Sequence, residues 1–213
     1  MGPAATVDFL DRIVRGVCAT DDRGHPRILI DSNPHVPDRN AALAGNGPSP
    51  GPALAAMARG LAAQGAELLA MPCNAAHGWA DEIRAATPIP FIDMVEESVA
   101  LARDAGTVGL IAVAATLDTR LYHGSLEALG IAVIEPERGA VAELVARVKA
   151  GDTGAGARAA ATALAKGLAA RGAHRVIAAC TEIPLVLGQR QCPVPLIATT
   201  QALADATLAA AAA

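Results

Sequence analysis

Two cysteines stand in matched surroundings. "AELLAMPC" (66–73) leads an apolar run into Cys73, and "HRVIAAC" (174–180) leads another into Cys180. Small and polar residues follow each, "NAAH" after the first and "TEIP" after the second. A thiol at the end of a strand and the start of a helix faces unpaired backbone N–H groups and the positive end of the helix dipole, which lower its pKa toward neutrality. It then serves as a base in one form and an acid in the other. Two such groups on opposite faces of a bound Cα–H could remove a proton from one side and return one to the other, inverting the carbon. The developing carbanion would need nearby N–H groups or cations, but no cofactor in principle.

Plainer roles compete for the same residues. Free cysteine is among the most buried residue types, so packing, or else a bystander thiol, is the expected role of Cys18 and Cys192. His77 lies four residues after Cys73 and could form half of a zinc site, yet no second Cys/His pair supplies the other ligands. It reads as a helix-surface or capping histidine, and no metal is expected. The four cysteines lack a CxxC spacing, which favours reduced thiols over a disulfide framework.

The elements that must position these groups follow from the rhythm of the chain. "RILIDSN" (27–33), "AELLAMPC" (66–73), "TVGLIAVA" (107–114), "IAVIEPE" (131–137) and "HRVIAAC" (174–180) are short, apolar and bounded by turn residues, as buried strands are. "GPALAAMARGLAAQG" and "GARAAATALAKGLAARG" between them carry strong helix formers. This alternation predicts an α/β fold with parallel strands and helices on both faces. Ligands in such sheets bind at the carboxyl ends of the strands, where both cysteines fall.

An internal repeat refines the prediction. "GLAAQGAELLAMPCN" (60–74) aligns without a gap on "GLAARGAHRVIAACT" (167–181), so position 73 maps to position 180 at an offset of 107 residues. "PIPFI" (88–92) and "PVPLI" (193–197) echo each other one short helix later. Two pseudosymmetric α/β halves are therefore expected, residues 1–99 plus 198–213 and residues 100–197, with the thiols facing each other across a cleft. "MGPAATVDFLDRIVRGV" opens on a Gly-Pro turn and a helix, so the first strand of the N-terminal half is expected to be missing.

Composition narrows the function classes. Against 21 Asp+Glu the 213 residues carry 17 Lys+Arg, a formal net charge of -4, without the basic clusters that a phosphate backbone requires. Nucleic acid is not an expected partner. The aromatics Phe9, Trp79, Phe91 and Tyr122 are too few for a stacking platform, which favours a small polar substrate. Gly2, Gly45, Gly47 and Gly51 form no GxGxxG arrangement. No secretory signal is evident, and stretches such as "TVGLIAVAATL" are too short to span a bilayer, so a cytoplasmic protein without membrane attachment is expected.

"PCNAAH" and "CTEIP", together with "MGPAAT" and "SNPHVPDR", resemble the aspartate/glutamate racemase superfamily, most closely its aspartate racemase branch. The resemblance covers essentially the whole chain. It implies a homodimeric amino-acid racemase that works without pyridoxal phosphate, with Cys73 and Cys180 as the acid/base pair. It also implies substrate contacts. Arg39 matches a carboxylate-binding arginine, suited to it by the guanidinium fork. Lys149 corresponds to a second cation and Thr116 to a substrate-facing threonine. Asn74, Ala75 and Ala76 follow the first cysteine, and Thr181 and Glu182 the second, where backbone N–H groups could hold the α-carboxylate. Met1 and Gly2 belong to the "MGPAAT" turn, and Asn33 either binds ligand or shapes its own turn. Capping competes with substrate contact for Glu182.

The chain departs from the family pattern in Ala75, where threonine is common, and in Val113, where relatives often carry threonine. Racemisation of aspartate, or else glutamate, is the expected activity. The alternatives are a maleate isomerase or hydantoin racemase of the same scaffold, or an inactive carboxylate-binding protein.

Overall fold

Parallel strands with helical crossovers recur through the whole chain. The computed structural model describes residues 2–212, so Met1 lies outside the described residues. Two compact units divide it, one running to Met94 and resuming at Thr200, the other spanning Val95–Thr199.

The first unit begins with α1 (Pro3–Gly16), whose proline sits at the helix start, where a missing N–H costs nothing. Then come α2 (Arg39–Leu43), α3 (Gly51–Ala63), β1 (Leu69–Ala70), a 3-10 turn (Ala75–Trp79), α4 (Ala80–Ala86), β2 (Phe91–Ile92) and the start of α5 (Met94–Ala100). β1 and β2 pair in parallel. Their core joins Leu54 and Ala58 of α3 to Leu69, Met71 and Ile83.

The expected strand at residues 27–33 does not form. That segment carries no regular secondary structure, and Ile28 and Ile30 are 41% and 49% exposed. A strand exists through the hydrogen bonds of its neighbours. No backbone partner holds residues 28–31 among the described residues.

The second unit contains β3 (Thr107–Ile111), α6 (Ala114–Asp118), α7 (His123–Ala128), β4 (Ala132–Ile134), α8 (Arg138–Lys149), α9 (Ala155–Ala170), β5 (Arg175–Ala178) and β6 (Leu196–Ala198). Its sheet is wholly parallel, in the order β4-β3-β5-β6. Side chains alternate across it with period two. Val176 and Ala178 join α8 and α9 in one buried cluster, while Ile177 and Ala179 join residues of α5 and α7 in another. Both faces are thus covered, which explains the unbroken apolar runs. At Gly109 of β3 a Cβ would come within 2.9 Å of Leu168, so only glycine lets α9 approach this closely. From β6 the chain enters α10 (Thr199–Ala211), and Arg12 of α1 donates to Gln201 of that helix at 2.6 Å.

The repeat holds at the level of register. β1 pairs Leu69 with Phe91 and Ala70 with Ile92, and β5 pairs the matching Val176 with Leu196 and Ile177 with Ile197. Gly65 and Gly172, at the same offset, end α3 and α9 with φ of 89° and 93°, the left-handed conformation that glycine adopts without strain.

Candidate active site

In the first unit the strand β1 ends two residues before Pro72–Cys73, and the chain turns at once into the 3-10 segment. Cys73 is half-buried, and its carbonyl accepts from the Ala76 N–H at 3.2 Å. The same carbonyl lies 2.9 Å from His77 Nδ1, while His77 Nε2 accepts from the Met94 N–H at 3.0 Å. An acceptor at Nε2 places the proton on Nδ1, which therefore donates to Cys73. The expected surface position for His77 is wrong, since the residue is only 5% exposed, while its bond to the first N–H of α5 is of the capping kind also expected. Burial holds its pKa below the ordinary histidine value, with nearby Asp93 opposing that shift, so the neutral ring is the working form. His77 ties the backbone of Cys73 to the end of β2.

In the second unit Cys180 follows β5 and is 8% exposed. Its Sγ donates to Glu182 Oε2 at 3.0 Å, and Thr181 Oγ1 donates to the same oxygen at 3.2 Å. The expected lowering toward neutrality is reversed here. Burial, and then the negative charge of Glu182, push the Cys180 thiol well above the ordinary range, while the Glu182 N–H and the charge of Lys149 pull the other way. The element that follows this cysteine is a three-residue 3-10 turn, Ile183–Leu185, rather than the longer helix that the expectation assumed. Glu182 makes no capping bond. Its carboxylate is spent on the thiol and on Thr181.

The model of Asp/Glu/hydantoin racemases matches residues 1–207. The chain belongs to that family. A broad-specificity amino-acid racemase of Bacillus subtilis, RacX, is 27% identical over 226 residues, covering 98% of this chain and 93% of the relative. The aspartate racemase of Picrophilus torridus superposes with a TM-score of 0.91 at 28% identity, over 99% of this chain and 90% of that one. The glutamate racemase of Francisella tularensis, solved with D-glutamate, shares the fold at a TM-score of 0.66 and 17% identity, over 97% and 76% of the two chains. This chain is an amino-acid racemase with the two-sheet α/β fold of these enzymes.

The racemase distributes its other candidate residues unevenly. Arg39 opens α2, which packs against the 3-10 turn after Cys73, where a Cβ at Gly78 would come within 3.1 Å of Leu43. Its Nη1 donates to the carbonyls of Val36 and Pro37, and its buried Nε has no partner among the described residues. Asn33 shapes its own turn by accepting from the His35 N–H at 2.9 Å. Asn74 and Ala76 are buried, Ala75 and Gly2 half-buried. In the second unit Thr116 is fully buried at the start of α6, and its hydroxyl has no hydrogen-bond partner among the described residues. β3 and β5 are neighbours, so α6 starts beside the end of β5. Lys149 ends α8, exposed to solvent.

Sequence reasoning missed His77 and the thiol-to-carboxylate bond of Glu182. A histidine at i+4 from Cys73 in a 3-10 turn was a signal for a carbonyl clamp, but its second partner, Met94, comes from tertiary structure. Cys192 packs in the core of the second unit and Cys18 is exposed. Among the described residues no cluster of three metal-ligating side chains occurs, and no helix is long and apolar enough to cross a membrane.

Proposed function

We propose that this racemase interconverts the enantiomers of an acidic amino acid, aspartate before glutamate, with Cys73 and Cys180 as its two acid/base groups and no pyridoxal cofactor. The observation that carries the reading is the matched register of β1–β2 and β5–β6, which ends each repeat on one of these two cysteines. In one direction the Cys73 thiolate takes the Cα proton, and the Cys180 thiol gives its proton to the opposite face. Cys180 is left as thiolate and Cys73 as thiol, and the reverse direction exchanges the roles. The hydrogen bond and charge of Glu182 favour the state in which Cys180 keeps its proton. Since enantiomers have equal free energy, kcat/KM must be the same in both directions, so that preference enters kcat and KM separately.

The orphan hydroxyl of Thr116 supports a polar ligand, because a buried hydroxyl without a partner costs about 1–3 kcal/mol until one is supplied. Ala75 supports a second reading, a broader substrate range, since it offers no hydroxyl with which to select one side chain; the relative from Bacillus subtilis is itself described as broad in specificity. Incubation with L-aspartate, L-glutamate and neutral amino acids in D₂O separates these readings. Deuterium should enter Cα of aspartate fastest, and Cys73→Ser or Cys180→Ser should abolish full racemisation. Exchange of neutral amino acids at equal rates would favour the broad reading, and full racemisation by either serine variant would refute the two-thiol mechanism.

A further inference from the structure

His77 stands between two partners that exclude each other. Its Nε2 accepts from the Met94 N–H at 3.0 Å, and the same nitrogen lies 3.8 Å from Asp93 Oδ1. The neutral ring serves Met94, because its Nε2 is then an acceptor. A protonated ring carries N–H groups on both nitrogens, so Nε2 would turn a donor toward the Met94 donor and would be satisfied by Asp93 instead. The bond from Nδ1 to the Cys73 carbonyl exists in either form. Protonation therefore cuts the link from the Cys73 turn to the start of α5.

A carboxylate this close to a buried imidazole ordinarily favours the charged pair. Here the other oxygen of that carboxylate is taken. Arg84 Nη2 of α4 donates to Asp93 Oδ2 at 2.8 Å, and the Asp93 side chain is only 7% exposed. The Arg84 guanidinium lies over the Phe91 ring, 5.6 Å from its centroid, and that ring stacks on His77 with centroids 5.5 Å apart. Arg84 thus meets Asp93 and Phe91 at once and holds a permanent positive charge beside the imidazole. Burial is the main reason that the ring stays neutral; the charge of Asp93 works against it and the charge of Arg84 with it. The other charged groups on the first-unit helices packed against the 3-10 turn are Arg39 of α2 and Asp81 and Glu82 of α4, and Asp81 is itself paired with Arg84 Nη1 at 3.3 Å. The first turn of α5 carries Glu96 and Glu97.

We propose that Arg84 is a positioning residue for racemisation: by holding the Asp93 carboxylate it keeps His77 neutral, so that the ring bridges the Cys73 turn to the start of α5. The inference rests on the reading of Cys73 as an acid/base group, since the clamp acts on the backbone of that residue. Without Arg84, Asp93 becomes the acceptor that a charged His77 needs, and the clamp opens at a higher pH than in the parent.

Arg84→Gln, Asp93→Asn and the double variant test it, each followed by NMR titration of the His77 ring, by hydrogen exchange at the Met94 amide and by the pH profile of kcat and KM. Asparagine at position 93 removes the charge yet keeps a side chain suited to a helix start. In Arg84→Gln the ring should titrate at a higher pH than in the parent, Met94 should exchange about tenfold faster at about pH 6, and kcat there should fall by about tenfold with KM changed less. Arg84→Lys, which keeps the charge, should stay close to the parent's titration. In Asp93→Asn and in the double variant the ring should titrate at a lower pH than in the parent, because the carboxylate is gone. A loss of stability in Arg84→Gln with the His77 titration unmoved would overturn the proposal and leave Arg84 a structural residue. A double variant that titrates as Arg84→Gln does would overturn it too. The ring's titration is read without turnover, so it stands apart from the two-thiol reading, which fails separately if Cys73→Ser still racemises fully.

Discussion

At the scale of single residues, burial and then Glu182 set the resting state of Cys180. A carboxylate 3.0 Å from a buried sulfur makes thiolate formation costly, and burial is the larger of the two effects. The consequence for stability has a definite sign. A group whose pKa is raised on folding stabilises fully below its unfolded pKa, and that contribution is lost as the pH climbs from there toward the folded value. Stability should accordingly fall above about pH 8.5, where an unfolded thiol begins to ionise. Cys192, raised by burial, adds a slope of the same sign. Thermal melts across this range should show a shallower alkaline decline in Cys180→Ala and in Glu182→Gln than in the parent. A decline of unchanged slope in both variants would show that Cys180 is not the group responsible.

At the scale of elements, the His77 clamp joins the turn after β1 to the turn after β2. His77→Ala removes the ring's bonds to the Cys73 carbonyl, which keeps the Ala76 N–H, and to the Met94 N–H, at a total cost of about 1–3 kcal/mol. A denaturant midpoint lowered accordingly, with kcat reduced more than KM is raised, is the expected result. His77→Asn should retain more of kcat, because its amide N–H₂ can stand where Nδ1 donates; equal kcat in the two variants would remove the positioning role. Neither partner of this clamp was legible in the sequence beyond the i+4 spacing, because Met94 arrives from a separate element. The strands show the same division. "TVGLI" and "HRVIA" announce themselves by apolar runs, since both faces of their sheet are covered. "RILI" has the same pattern and forms no strand, because pairing depends on a neighbour that a local pattern does not contain. The cysteines were legible through the repeat, which carries tertiary information in linear form. The raised thiol of Cys180 was not, since it rests on tertiary burial and on the position of the Glu182 carboxylate beside the sulfur.

At the scale of the whole molecule, the two units differ in what holds them. Among the described residues the second has four paired strands and two buried clusters, while the first has two strands of two residues and one smaller buried cluster. Calorimetry should therefore resolve unfolding of the first unit ahead of the second, with a calorimetric enthalpy above the van't Hoff value. A single transition with matching enthalpies would show that the units unfold together. The path of the chain adds one more consequence. The second unit is one continuous segment, whereas the first is completed only by α10 at the far end of the sequence. During synthesis the later-encoded unit can close as soon as β6 has emerged, while the half translated first waits for the last helix to leave the ribosome.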